Sequence, residues 1–465
     1  MKRIDYLNLI NDEYIEAGKF KIIIPFPHRS FKTIDYTKAG EKIQDWEIIN
    51  LSEEKKKSFL NNDFINLQPF ICNNLLINNK ENDDIHCVIL EKNWEFDIRV
   101  CDESNYCIST LSSDKINLWI FEDNIAFFVL NFYIKEKTKV KDVLKTLFLL
   151  KNFRKIYYET GSFTLKGQKT LIDFLFENSK NILNITKEDI DEKLNNKNDD
   201  LSFIFNMYEK AKIFSVIKIN TVKSERSKKD LDFFENARYD FFRELSFYFA
   251  SGIEIDAQKG AYDGDIYRQL EEGGIFIDQN VSSVVLYDGV NITVNNKVDD
   301  RRVDEYEINT YLIYMINLYI AYKSRYYEYK LNDKYMFFDI NAIVSYKKLV
   351  FAKNFLISES IGTTYKNNII HQKVSNVLNS KNLLESVFQK LEKTQEIYTK
   401  NLNFIIAFFT IIFSFLFAEP IKKFAERFIE NSFISVTVTF LLIVLFFVGL
   451  FWLKNKIFKW LLKIF

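Results

Sequence analysis

"FFTIIFSFLFAEPIKKFAERFIENSFISVTVTFLLIVLFFVGLFWLKN" runs from Phe408 to Asn455 of a 465-residue chain, and its reading decides the fold class. Residues 402–418 are 17 positions whose strongly polar members are Asn403, Thr410 and Ser414, and residues 433–453 are 21 positions without a charge. At about 1.5 Å per residue these reach roughly 26 and 31 Å, against a hydrocarbon core of about 30 Å, so both read as transmembrane helices. The loop between them, 419–432, sets Lys422, Lys423 and Arg427 against Glu419, Glu426 and Glu430. The tail 454–465 carries Lys454, Lys456, Lys459 and Lys463 and no acid, which marks the cytoplasmic side. The expectation is a two-helix hairpin in the inner (cytoplasmic) membrane, crossing twice, with both termini cytoplasmic. The basic tail, alternating Lys with Ile, Phe, Trp and Leu, reads as an amphipathic helix in the headgroup layer.

Upstream, no proline falls between Pro69 and Pro420 and no glycine between Gly362 and Gly449. One helix is therefore predicted from Tyr365 to Ala418, with Pro420 ending it. Ile370, Val374, Val377, Leu384, Phe388, Leu391, Tyr398, Leu402 and Ile405 alternate steps of three and four, interrupted by Lys381 and Gln395. Such a heptad seam favours helices packing side by side, so a homo-oligomer is expected; the alternative is that the seam packs on the chain's own globular part. Asn403, Ala407, Thr410, Ser414 and Ala418 share one face of the first span. A small and weakly polar face lines water in a ring of helices or allows close helix contact.

The rest of the chain is hydrophilic but able to build a core. Lys and Arg number 63 and Asp and Glu 63, so no global field gathers nucleic acid and no direct nucleic-acid partner is expected. Hydrophobic residues make up 48% and aromatics 16%, enough for more than one domain. "KFKIIIPF" (19–26), "IHCVILEK" (85–92), "WEFDIRV" (94–100), "INLWIFE" (116–122) and "IAFFVLNFYI" (125–134) read as strands. "KVKDVLKTLFLLKNFRKI" (139–156) reads as a helix, and helices are predicted at 201–212, 231–250 and 304–330. The organisation expected is an N-terminal α/β cytosolic region at 1–160, a second α/β part at 161–364, a stalk helix at 365–401, spans at 402–418 and 433–453 around the outer loop, and the tail. The N-terminus places Asp, Asn and Glu where a signal peptide needs an apolar core. Cys72, Cys87, Cys101 and Cys107 show no framework spacing, which suits buried thiols in a reducing cytosol.

Chemical motifs are few. "GSFTLKGQKT" (161–170) fails the phosphate-loop spacing, and no HExxH or GxSxG occurs, so no catalytic residue is assigned and an enzyme is not expected. Gly252, Gly260, Gly264, Gly273, Gly274 and Gly289 cluster, which makes turns or lets backbone approach a ligand. Arg238, Arg243, Arg268, Arg301 and Arg302 surround that cluster and are the candidate ligand-binding residues, since guanidinium forks suit phosphate.

The large soluble part, the stalk continuing into a first span, the short outer loop and the peripheral second span resemble the CorA metal-transporter superfamily. The resemblance implies a pentamer whose first spans line a pore, here through Asn403, Ala407, Thr410, Ser414 and Ala418. The family's Gly-Met-Asn mouth is missing, because residues 405–420 contain no Gly, Met or Asn. That departure is similar to the CorA-like effectors of type III CRISPR antiviral defence. It implies a channel-like effector gated by a nucleotide second messenger, a conjugate of S-adenosylmethionine with AMP. The alternatives are a divalent-cation transporter drawing Mg²⁺ through Glu419, Glu426 and Glu430, and a membrane-anchored enzyme.

Overall fold

The alternation in "KFKIIIPF" sends Phe20, Ile22, Ile24 and Phe26 to one side of a strand and Lys19, Lys21 and Ile23 to the other. A computed structural model describes residues 14–28, 42–43, 45–49, 67, 87–121, 125–159, 161–183, 210–219, 245–252, 268–270, 272–278, 281–295, 298–332 and 362–428. There the stretch is β1 (Tyr14–Pro27), inside a 13-stranded sheet. The other strands are β2 (Lys42–Ile43), β3 (Trp46–Ile48), β4 (Cys87–Cys101), β5 (Cys107–Phe121), β6 (Ile125–Tyr133), β7 (Thr138–Lys139), β8 (Tyr157–Glu159), β9 (Ser162–Thr164), β10 (Lys212–Ile219), β11 (Gly274–Asp278), β12 (Val281–Leu286) and β13 (Gly289–Asn295). Their order is β11-β12-β13-β10-β1-β6-β5-β4-β3-β2, with β7 added to β1 and the β8–β9 hairpin joined to β4 through β9. Pairing is antiparallel except for β10 with β13 and β4 with β9. The runs read separately at 85–92 and 94–100 form the single strand β4, with a bulge between Asn93 and Phe96.

Helices cover both faces of this sheet. On one, Phe20, Ile22, Ile24 and Phe26 of β1 and Ala126, Phe128, Leu130 and Phe132 of β6 join a single apolar core. That core takes in Val143, Leu144 and Leu147 of α1 (Val140–Lys151) and Leu171, Leu175 and Ile182 of α2 (Leu171–Leu183). The opposite face carries α3 (Asp300–Asn332). Its tyrosines meet the sheet's aromatics in order: Tyr311 against Trp119 and Phe214, Tyr319 stacked on Phe121 at 4.0 Å, and Tyr322 edge-on to Phe127 at 5.2 Å. Such ring pairs add about 0.5–1.5 kcal/mol each beyond the area they bury. The first turns of α3 are held by charge instead. Glu307 accepts from Lys21 at 2.6 Å and Lys19 at 3.0 Å, and Lys218 at the end of β10 bonds Asp300 at 2.8 Å.

After residue 361 the structure departs from the sequence reading. The helix from Tyr365 does not run on to Ala418: α4 (Tyr365–Leu378) stops at Asn379, whose φ of 55° is left-handed, and α5 (Ser380–Phe428) starts anew. Pro420 does not end a helix either, since α5 continues through it to Phe428 and takes in all of the expected outer loop but 429–432. Among the described residues no helix is long and apolar enough to cross a membrane. This overturns the two-helix transmembrane hairpin, the multi-pass inner-membrane location and the CorA-like channel built on them. The physical reason lies in α5: the 17 residues of the expected first span, about 26 Å, are not a separate element ended by Pro420 but the middle of a 49-residue helix that runs on to Phe428. The second expected span, 433–453, and the tail lie outside the described residues.

The chain divides into two compact units, residues 1–326 with 353–384 and residues 327–352 with 385–465. In the first, α4 lies against β11 and β12 with Ile370, Val374 and Leu378 buried. In the second, Val387, Phe388 and Leu391 of α5 are buried and Lys390 bonds Glu328 at 2.7 Å. Of the heptad seam, Ile370, Val374, Leu384, Phe388 and Leu391 are thus buried within a single chain, and Val377 is half-buried.

Candidate anion-binding site

At the start of β10 five segments converge. The carbonyl of Lys151, last residue of α1, accepts from Ala211 N at 2.9 Å, and Asp288 O in the β12–β13 turn accepts from Ile213 N at 3.1 Å. The turn reaches this close because residue 289 is glycine: a Cβ there would lie 2.2 Å from Ile213 O and 2.7 Å from Ala250 O. Backbone bonds thus fix the end of α1, the entry to β10 and the Tyr287–Asp288 turn to one another, with 245–252 and α3 alongside.

Into this junction project two ammonium groups and one carboxylate. Lys151 Nζ donates to Asp288 Oδ2 at 2.6 Å and to Ser251 O at 2.5 Å. Lys212 Nζ donates to Tyr287 O at 2.7 Å, lies 3.6 Å from Asp288 Oδ1, and sits 3.7 Å from the centre of the Tyr287 ring. Arg325 of α3 donates to Tyr287 Oη at 3.1 Å. Both lysine side chains are 3% exposed, whereas that of Asp288 is 34% exposed and the Tyr287 residue 41%.

The charges are crowded. Burial, with repulsion from Lys151 and Arg325, brings Lys212 down to about 8 although Asp288 opposes the shift. Burial lowers Lys151 too, with Lys210 adding repulsion against the pull of Asp288. For Asp288 burial works upward, but Lys151, Lys212 and Lys210 outweigh it and hold the carboxyl below its usual range. A buried ammonium is tolerated only with a close anion. Here one carboxylate, 34% exposed, serves both.

The residues expected to bind ligand lie elsewhere. Arg301 and Arg302 are exposed in the first turn of α3, about 36 Å along that helix from Arg325 at 1.5 Å per residue. Arg268 is exposed on the short helical segment 268–270, and Arg238 and Arg243 lie outside the described residues. Of the expected pore stripe, Asn403 and Ala407 are exposed on α5 beside Phe404, Phe408 and Ile411, and Thr410 is half-buried. The side chains of Ser414 and Ala418 lie outside the described residues. Glu419 pairs with Lys423 one turn on at 3.7 Å; Glu426 lies on α5 with its side chain outside the described residues, and Glu430 lies outside them altogether. Among the described residues no group of three or more His, Cys, Asp or Glu is placed to hold a metal ion.

The sequence reading missed Lys151, Lys212, Tyr287, Asp288 and Arg325. The signal was there in "YDGV" (287–290), an Asp-Gly pair between two apolar runs, which marks a tight hairpin turn. Lys212 was hidden because 201–212 read as a helix, whereas residue 212 opens a strand. Comparison with family models, with curated proteins and with solved structures finds no match for this chain.

Proposed function

We propose that this chain is a ligand-binding protein whose ligand is a small phosphate-bearing anion of the nucleotide class, taken at Lys151, Lys212 and Asp288. The observation that carries the reading is the convergence of two almost fully buried ammonium groups on one solvent-accessible carboxylate. Asp288 acts as the internal anion. A phosphate exchanges with it, accepts from Lys151 and Lys212, and brings a second negative charge to a site crowded with cations. The exposed Tyr287 ring beside the charge gives a flat surface for a base.

The reading separates from a purely structural ion triad by the behaviour of Asp288→Asn. Removal of the competing carboxylate strengthens binding of AMP or pyrophosphate, by about tenfold for 1.4 kcal/mol of lost competition, while lowering the stability of the free protein. Lys212→Met abolishes that binding. Wild-type affinity falls as pH rises through about 8, where Lys212 loses its proton. Titration calorimetry with phosphate, pyrophosphate, AMP and ATP at low ionic strength measures the three effects on binding, and a urea titration measures the stability. Absence of saturable binding to wild type and Asp288→Asn alike sinks the proposal, as does equal binding by Lys212→Met.

A further inference from the structure

Cys101 ends β4 and Cys107 begins β5, and the two stand directly opposite each other across the hairpin. A register shift creates the pair. Val100 faces Ser109, so continuous pairing would set Cys101 against Ile108; the bulge at that step brings Cys107 opposite instead. The next pair outward exchanges the bond Asp102 N to Tyr106 O at 3.0 Å. Cys107 Sγ donates to Ser109 O at 3.6 Å, and directly opposed antiparallel residues have Cβ atoms about 4.5–5.5 Å apart, close to what a disulfide spans.

The tip between them is held by Asp102. Asp102 Oδ1 accepts from Ser104 N at 3.0 Å, Ser104 Oγ at 2.6 Å and Tyr106 N at 3.0 Å, and Lys145 of α1 reaches Asp102 Oδ2 at 3.5 Å. The thiols differ in access: Cys107 is exposed and Cys101 buried, which corrects the expectation of uniformly buried cysteines. Burial, with the neighbouring Cys107 and Asp102, holds the Cys101 thiol above its ordinary range against the pull of Arg99.

We propose that Cys101 and Cys107 form a reversible dithiol–disulfide site whose co-reactant is a low-molecular-weight disulfide such as oxidised glutathione. Exposed Cys107 acts first: its thiolate attacks one sulfur of the glutathione disulfide, forming a Cys107–glutathione bond and expelling one glutathione thiolate. Cys101 then gives up its proton and attacks Cys107 Sγ, closing the protein disulfide and expelling the second glutathione. Two electrons pass from the protein to glutathione, and both released protons end on the two glutathione thiols. The roles follow from access, since an attacking thiol must meet its disulfide and a resolving thiol needs only its neighbour.

The test is mass spectrometry of the full chain equilibrated in glutathione buffers, acid-quenched, alkylated and cut by trypsin. Cleavage after Arg99 and Lys115 leaves both cysteines in one peptide, 100–115. The expected product is that peptide, unalkylated and lighter by two hydrogens. Cys101→Ser is expected to accumulate a stable glutathione adduct on Cys107, while Cys107→Ser reacts at least about tenfold more slowly through its buried thiol. Unfolding in guanidinium should weaken the preference for the disulfide by about tenfold or more, because the hairpin no longer holds the thiols together. Full alkylation of the wild-type peptide in oxidising buffer, two glutathione adducts on it, or a Cys101→Ser variant with no more adduct than wild type would each overturn the assignment.

Discussion

Glu307 shows at one residue what holds α3 to the sheet. Its side chain is 10% exposed, and burial alone would favour the neutral acid, yet Lys21 and Lys19 outweigh this and bring the carboxyl down to about 2. Glu307→Gln keeps the size and removes the charge, leaving Lys21, itself mostly buried, beside an amide. The expected loss is about 2–4 kcal/mol, less than for a pair sealed on every side because Lys19 retains water. A urea titration of wild type and variant measures it; an unchanged midpoint would show that the two lysines find other partners. Lys21 on the strand face was visible in the alternation of "KFKIIIPF", but its acid was not. Glu307 lies about 290 residues further on, in a helix whose register on the sheet no local pattern gives.

At the scale of elements, the instructive residue is Asn379. The absence of Gly and Pro read as one continuous helix, but Asn also tolerates left-handed backbone, and that is enough to end α4 and start α5. Its N–H bonds Asn376 O at 3.1 Å while its own carbonyl accepts from Leu383 at 3.0 Å, so one residue caps both helices. Asn379→Gly is expected to be close to neutral, and Asn379→Val to cost about 1–2 kcal/mol through a branched side chain at positive φ. Differential denaturation of the two variants checks this; equal midpoints would mean the junction is set by packing alone. Strands of alternating or continuous apolar pattern were legible because period and burial coincide in β1, β5 and β6. The site was not, because Lys151, Lys212 and Asp288 come from three segments joined only by the sheet's order. Pro420 misled in the opposite direction, as α5 carries a proline that the sequence reads as a stop.

In the whole molecule, acid should act first at the junction of α3, α4 and α5. Asn317 Nδ2 donates to Ile313 O at 2.9 Å and to His371 Nδ1 at 3.0 Å, and Asn317 Oδ1 accepts from Ser380 at 2.9 Å. Nδ1 must therefore stay unprotonated. Burial, with Lys381 nearby, lowers His371 from 6.5 to about 4. Because the folded value lies below the unfolded one, this contribution is complete above about pH 6.5 and is lost as pH falls towards 4, at up to about 1.4 kcal/mol per pH unit. Urea midpoints between pH 7 and 4 should show that slope, and His371→Gln should flatten it; an unflattened slope would assign the acid sensitivity elsewhere. Below about 4.5 Glu307 adds a second loss. The order of the strands also has a consequence for biosynthesis. β1 leaves the ribosome well before one of its two long neighbours, β10, which ends at Ile219. At 5–20 residues per second the interval from Pro27 to Ile219 lasts about ten to forty seconds, during which a strand as oily as "IIIPF" has an open edge. A nascent chain of this protein is therefore expected to need a chaperone's cover until Ile219 has been made.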